Sequence, residues 1–287
     1  MNTLSTKRDD MMNILYCGNE KMADGLLISI LSLLKHSTEP LNIYIMTASI
    51  QTNKTSYYPV SDQTVQFLAQ QVKQVNPLNS VTKIDVTTLF NEEKPLANLN
   101  TIFTPYCMLR LFADLVSGLP NKLLYLDTDI VCHRNFRSFY HQDISRNEFV
   151  GVLDYYGKWF FHNSGDHFDY VNSGVLLLNL KLIKKTGLFS QCRSMCQEKK
   201  MFMPDQSAIN KLATSKKIVS HRFNDQRRLH RKTVFQHFTT SFRLFPWIHT
   251  LKVKPWEVDK VHDKLGLYEY DDILTEYRHL MPKMKGL

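Results

Sequence analysis

The 287-residue chain contains no apolar run long enough to cross a bilayer, and its polar first ten residues carry no apolar segment of signal-peptide length. These absences point to a protein that is soluble or peripheral at a membrane surface. Paired cysteines are missing too. Cys17, Cys107, Cys132, Cys192 and Cys196 are odd in number and sit mostly in apolar segments, which argues against a disulfide framework and for a reducing, cytosolic compartment. Cys192 and Cys196 stand one helical turn apart with no second Cys or His pair beside them, so structural zinc is not expected. The net charge of +9 reads as spread along the chain rather than blocked. That spread disfavours nucleic acid and suits acidic partners such as nucleotides or anionic lipids. With 43% hydrophobic and 11% aromatic residues, the chain can bury one large core or two modest ones, so global disorder is excluded.

The segment that organises the rest is Lys122 to Cys132. Leu123, Leu124, Tyr125 and Leu126 form a continuous apolar stretch after Gly118 and Pro120, as expected of a central strand covered on both faces. Asp127 and Asp129 follow at its C-terminal end, where ligands bind in open α/β sheets. Two carboxylates there stay ionised only if a cation or hydrogen-bond donors meet them, and a divalent metal would do so. An Asp-x-Asp triplet arises by chance about once in a chain of this length, so its position carries the argument. Two readings compete: a haloacid-dehalogenase-like phosphatase, with one aspartate as nucleophile and the other as general acid, or a nucleotide-sugar glycosyltransferase whose pair holds a metal against a diphosphate.

Taken in order, Asn13–Cys17 is a short strand followed by Gly18 and Asn19. A helix carrying Leu26, Leu27, Ile30, Leu33 and Leu34 comes next, and then a strand over Leu41–Met46. This is a βαβ unit with parallel strands. Met11 and Met12 directly precede it, so translation starting there would make Met1–Asp10 an extension. Ser61 caps a helix with Val65, Leu68, Val72 and Val75 on one stripe, and Val81–Val86 alternates as a strand. Thr104 and Pro105 start a helix bearing Met108, Leu109, Phe112 and Leu115, with Arg110 either on its surface or reaching the carboxylates. Glu148–Leu153 is a strand ending in Asp154. Val171–Leu180 is another, interrupted by Asn172, Ser173 and Gly174, which marks either a bulge or a close approach of ligand or backbone. Asp205 and Gln206 follow Pro204 at a helix start, where Asp205 could simply be a cap. Late in the chain His237, Arg243, His249, Lys252 and Lys254 gather among aromatics and would suit phosphates. The tail after Trp256, with Val258, Val261 and Leu265, reads as a closing helix, and a membrane-surface contact there would suit a lipid-linked acceptor.

These segments together resemble glycosyltransferase family 8, the retaining enzymes that include glycogenin and bacterial lipopolysaccharide galactosyl- and glucosyltransferases. The resemblance rests on Asn13-Ile-Leu-Tyr-Cys-Gly-Asn19, Tyr106-Cys-Met-Leu-Arg-Leu111, Leu124-Tyr-Leu-Asp-Thr-Asp129, Tyr170-Val-Asn-Ser-Gly-Val-Leu-Leu-Leu-Asn179, Pro204-Asp-Gln206, His237-Phe-Thr and Lys254-Pro-Trp256. It implies a GT-A type, Rossmann-like mixed sheet flanked by helices in one domain. Residues 12–135 would bind the nucleotide sugar, 136–256 would form the acceptor and catalytic half, and 257–287 would be a helical tail. It also implies transfer of glucose or galactose from a UDP-hexose to a glycan, lipid-linked or protein acceptor, in the cytoplasm or at the inner face of the membrane. Gly18 and Asn19 would lie near the uracil and ribose. Asp127, Thr128 and Asp129 would contact the donor, and Asp127, Asp129 and a late histidine would hold Mn²⁺, or alternatively Mg²⁺. Arg110, Asp154, Asn172 and Ser173 would contact the sugar or its neighbours, with Asp205 and Gln206 beside the reacting carbon.

This chain departs from the family where a long aromatic insert separates His237 from Lys254. His237 matches by its Phe and Thr neighbours and His249 by its distance from Lys254. His237 is taken as the metal ligand, with Arg243 as a phosphate contact and Lys254 as a further donor-binding residue. The competing class is a non-catalytic nucleotide-sugar binder that keeps the carboxylates and has lost transfer.

Overall fold

The computed structural model describes residues 11–101, 104–155, 169–226, 228–239, 241–243 and 249–286, with 241–243 and 249–251 by their backbone alone. Met1–Asp10 and residues 244–248 of the aromatic insert lie outside the described residues. In chain order the strands are β1 (Met12–Cys17), β2 (Leu41–Thr47), β3 (Ile50–Gln51), β4 (Ser56–Tyr57), β5 (Ser80–Asp85), β6 (Lys122–Leu126), β7 (Ile130–Cys132), β8 (Phe149–Leu153), β9 (Val171–Asn179), β10 (Lys216–Val219), β11 (Phe235–His237), β12 (Ser241–Arg243) and β13 (His249–Leu251). Seven of them form one sheet in the order β10-β8-β9-β6-β1-β2-β5. The pairs β1–β2, β2–β5, β1–β6 and β8–β10 are parallel, and β9 alone is reversed, antiparallel to both β6 and β8. The result is the expected mixed α/β sheet, mostly parallel and flanked by helices.

Both faces of this sheet are covered, which is why its central strands read as unbroken apolar runs. Along β6, Leu124 and Leu126 enter one core while Leu123 and Tyr125 enter the other, and β9 divides Val175 and Leu177 from Leu176 and Leu178 in the same way. Each fully buried leucine contributes about 1.5–3 kcal/mol. Helix α1 (Ala23–His36) is apolar nearly all round because the sheet lies on one side and the C-terminal helices on the other. Gly25 in this helix permits close contact. A Cβ there would stand 2.5 Å from the Thr128 carbonyl oxygen and 2.8 Å from the Trp256 ring, so the helix presses directly on the aspartate turn.

Several local expectations need correction. Ser61 does cap α2 (Asp62–Val75), its Oγ accepting from the Thr64 amide at 3.1 Å, but Val75, the last residue of the helix, is 61% exposed and leaves the apolar stripe. The segment after Thr104 is a 3₁₀ helix over Pro105–Phe112 rather than an α-helix. Thr104 makes no side-chain cap, and Leu115 lies beyond the helix on the surface. The tail holds two helices, Val258–Leu265 and Asp271–Met284, packed into the same core as α1. All five cysteines are free, and among the described residues no helix is long and apolar enough to cross a membrane.

Candidate functional site

The aspartate turn is fastened on both sides by backbone. As β6 ends, the Asp127 amide donates to the Gly174 carbonyl at 2.9 Å, which ties the turn to β9, and the Phe238 amide donates to the Asp129 carbonyl at 3.1 Å. Chain returning through β11 pairs antiparallel with β7 and sets His237 opposite Ile130. Its imidazole Nε2 then lies 3.3 Å from Asp129 Oδ1 and 3.8 Å from Asp127 Oδ2. Glycine is required at 174 for this approach, because a Cβ there would overlap the imidazole and stand 2.8 Å from its Nδ1. Lys254 Nζ donates to Asp129 Oδ2 and, at 3.0 Å, to the Phe238 carbonyl. Burial by itself would raise the Asp129 carboxyl, but the charges of Lys254 and His237 outweigh it and hold the group well below the usual carboxylate range. Arg243 and His249 face each other across the β12–β13 pair, and their side chains lie outside the described residues.

Arg110 is 2% exposed, so the surface reading of this residue is wrong. Its guanidinium spans two carboxylates, donating to Asp127 Oδ1 at 2.9 Å and lying 3.3 Å from Asp205 Oδ2. Its Nη1 donates to the Ser173 carbonyl and its Nε, the atom nearest Asp205, donates to the Cys107 carbonyl at 2.9 Å, while its Cζ stacks 4.0 Å from the Tyr125 ring centroid. The 3₁₀ segment is buried nearly all round, with Tyr106, Met108, Leu109, Leu111 and Phe112 in one core, so Arg110 too is held inside. Tyr125 completes the cradle, its hydroxyl donating to Asp127 Oδ1 at 2.6 Å.

The polar triplet inside β9 resolves both ways. Pairing with β8 slips between Val150 and Val152, whose partners are Leu177 and Asn172, so a bulge is present. The groups it releases enter a buried network. The Gly174 amide donates to Asn172 Oδ1 at 3.0 Å, which fixes that amide's orientation and lets Asn172 Nδ2 donate to Asp154 Oδ2 at 3.0 Å. Asn172 Oδ1 also accepts from Asn224 Nδ2 at 2.8 Å, which turns Asn224 Oδ1 toward His237 Nδ1, 3.2 Å away. His237 therefore carries a proton on Nδ1 and turns its Nε2 toward Asp127 and Asp129. Gln206 is oriented likewise: its Oε1 accepts from the Ser173 amide at 2.9 Å and its Nε2 donates to Asp154 Oδ2 at 2.9 Å. Asp205 does not cap its helix. Its carboxylate accepts from Ser173 Oγ at 3.1 Å and faces Arg110.

Across the turn, Gly18 follows β1 beside Thr128, where a Cβ would lie 3.7 Å from the threonine methyl. Asn19 is buried and its Oδ1 accepts from the Lys21 amide at 3.1 Å, capping a short 3₁₀ turn. The structure thus brings Gly18, Thr128, Arg110, Asp127, Asp129, Asp154, Asn172, Ser173, Asp205, Gln206, His237 and Lys254 to one end of the sheet. Sequence reasoning missed Asn224 and the Tyr125 hydroxyl. Asn224 lies in a polar loop with no periodic pattern, and Tyr125 reads as one more apolar strand residue.

Burial pushes the Asp205 carboxyl above its ordinary value in spite of Arg110. A carboxyl raised in the folded state adds stability below its unfolded pKa of about 4 and loses it as pH climbs through the raised value. Asp205→Asn, which keeps the shape and drops the charge, is therefore expected to melt at or above the wild-type temperature at pH 7, with the advantage vanishing below about pH 4. Thermal unfolding across this range is the check. An asparagine variant markedly less stable at neutral pH would contradict it.

The sequence pattern described as "Glycosyl transferase family 8" matches residues 13–260. A Haemophilus influenzae protein named "Putative glycosyltransferase" is 25% identical over 228 residues, which is 74% of this chain; the match spans 63% of that relative's length. In structure the chain is similar to the galactosyltransferase LgtC, solved with donor and acceptor sugar analogues. That likeness has a TM-score of 0.64 and 17% identity over 92% of this chain and 96% of LgtC. It is also similar to the apo form of the bifunctional glycosyltransferase WbbM, with a TM-score of 0.67 and 15% identity over 94% of this chain and 52% of WbbM. At such identities the likeness is one of fold, and the fold is the GT-A type.

Proposed function

Because the chain belongs to glycosyl transferase family 8, we propose that it is a retaining, metal-dependent glycosyltransferase moving glucose or galactose from a UDP-sugar to a glycan, lipid-linked or protein acceptor. The observation that carries this reading is the meeting of Asp127, Asp129 and His237, whose ligand atoms all lie within 4.8 Å of one another at the ligand-binding end of the sheet. Two carboxylates and one imidazole, the latter held by Asn224, make a donor set that fits Mn²⁺ and fits Mg²⁺ less well. When bound, the ion would neutralise the charge gathering on the departing diphosphate. The LgtC structure, with its donor and acceptor analogues, supports a sugar-transfer reading of the fold. Family membership also sets aside the phosphatase alternative.

In this reading residues 12–135 hold the nucleotide, with Gly18 and Asn19 near the base and ribose, and 136–256 hold the acceptor. Lys254, now on Asp129, turns toward the diphosphate together with Arg243. Asp154, Asn172, Ser173 and Asp205 position the sugar through hydroxyl contacts. Both ends of the Gln206 amide are engaged and an amide is a poor nucleophile, which favours same-face attack over a covalent intermediate. The acceptor oxygen bonds to the anomeric carbon on the face from which the phosphate leaves, and the acceptor's proton passes to the departing phosphate oxygen. Free thiols fit a reducing compartment, so the enzyme is assigned to the cytoplasm, in solution or at the inner face of the membrane.

UDP release from a panel of UDP-sugars in manganese tests this function; no turnover together with no UDP binding would overturn it. Tight UDP-sugar binding with no hydrolysis and no transfer would make the protein a binder instead. The two histidines give a sharper result. His237→Ala should weaken manganese affinity in the presence of UDP by about 10–100-fold, and His249→Ala should leave it within a factor of about two. Calorimetry of both variants decides the ligand.

A further inference from the structure

Between Lys216 and Lys232 the sequence carries seven lysines and arginines against one aspartate, so seventeen residues supply six of the chain's nine net positive charges. The even spread read from the whole chain does not hold here. Lys216 is matched by Asp169 at 2.9 Å. Arg228, Arg231 and Lys232 are exposed, and no ion pair joins them to any described residue.

The described residues of the loop that carries them are hydrogen-bonded to one another and anchored to the site. Asp225 is buried and holds it from within, its Oδ2 lying 2.6 Å from both His230 Nδ1 and Thr233 Oγ1. Five further bonds attach it to the site and to the end of β8. Asn224 links His237 to Asn172, the His237 amide donates to the Asp225 carbonyl at 3.0 Å, and Gln226 bonds the Tyr155 amide and the Leu153 carbonyl at 3.0 and 3.1 Å. The cations therefore stand on the rim at the C-terminal ends of β8 and β10. That is the far side of the sheet from β1 and Gly18, so they are not placed to serve the base and ribose assigned to that end.

His221, Asp225 and His230 could together reach an ion, but the surrounding arginines oppose a cation and Arg228 Nε already donates to His230 Nε2 at 3.1 Å. A membrane-binding surface would pair its cations with a broad apolar patch for insertion; among the described residues the rim offers only Leu153 and Ile218, at the ends of β8 and β10, at 42% and 39% exposure, and none from 219 to 233. An anion presented by the acceptor matches both the charge and the place. We infer that this rim is a subsite for a phosphate or carboxylate group carried by the acceptor glycan, an inference that rests on the glycosyl-transfer reading above.

The test compares binding of maltotetraose and maltotetraose 6-phosphate to the full chain with UDP and manganese present. Wild type should bind the phosphorylated glycan at least about tenfold more tightly at low salt, with the preference shrinking as salt screens it. The triple variant Arg228→Ser, Arg231→Ser, Lys232→Ser should lose that preference. A control with the same loss of charge elsewhere, Lys184→Ser, Lys185→Ser, Lys200→Ser, should keep it. Equal binding of the two glycans, a preference that survives the rim variant, or one lost equally in the control would each overturn the inference. Phosphatidylglycerol vesicles provide the last arm: vesicle binding that depends on the rim, without any glycan preference, would reassign it to a membrane surface. Wild-type UDP release without acceptor is measured separately, so a failed donor reading and a failed acceptor subsite give different results.

Discussion

Asp129→Asn is expected to lower manganese-dependent UDP release by about three orders of magnitude, roughly 4 kcal/mol at the transition state, while the protein still folds. The carboxylate is largely buried and faces His237 Nε2 on one oxygen and Lys254 on the other. An amide there keeps the shape but removes the charge that would hold an ion and, through it, a diphosphate. Manganese and UDP affinity should therefore fall together. Folding is spared because Lys254 is partly exposed and keeps its bond to the Phe238 carbonyl. Titration of manganese in the presence of UDP, alongside turnover, is the measurement, and wild-type manganese affinity in the variant would refute the assignment.

Arg110→Ala should give the largest loss of stability, about 3–5 kcal/mol, because it removes one partner from a buried charge cluster and leaves the others behind. The guanidinium answers Asp127, Asp205 and two backbone carbonyls from a side chain that is 2% exposed. Lysine cannot replace it, since a single ammonium does not fork between two carboxylates. Combining Arg110→Ala with Asp205→Asn should recover at least about 1 kcal/mol of the loss, since the two sites are coupled. Urea denaturation of the single and double variants provides the numbers. A loss below about 1 kcal/mol would show that the cluster is better solvated than its burial indicates, and strict additivity would show that Arg110 and Asp205 do not depend on each other.

The parts of the fold that were legible in the sequence are those fixed by local pattern. β1, α1 and β2 followed from apolar spacing, β6 from an unbroken run before paired aspartates, and the α2 cap from Ser61. The 3₁₀ segment was misread as an α-helix because Thr104 and Pro105 open either kind and apolar spacing of three and four residues is shared by both over two turns. Val75 was misplaced because periodicity gives the direction of a side chain and not where the neighbouring element stops.

For the site, the residue types were readable and their connections were not. Asp127 and Asp129 announce themselves by standing after a buried strand, and the triplet Asn172–Gly174 by breaking one. What Arg110 touches, whether Asp205 caps a helix or faces a guanidinium, and which ring nitrogen of His237 faces the aspartates depend on partners up to ninety-five residues away in the chain, joined only when β9, β11 and the loop before it close around the end of β6. Sequence by itself determined that the chain forms a covered parallel sheet with two carboxylates at its ligand-binding end, because burial and alternation are properties of neighbouring residues. Tertiary structure alone decided that the loop at Asn224 orients the histidine and places the Lys216–Lys232 cations on the far rim, because hydrogen-bond direction and the place of a loop over the sheet depend on distances in space that no spacing along the chain encodes.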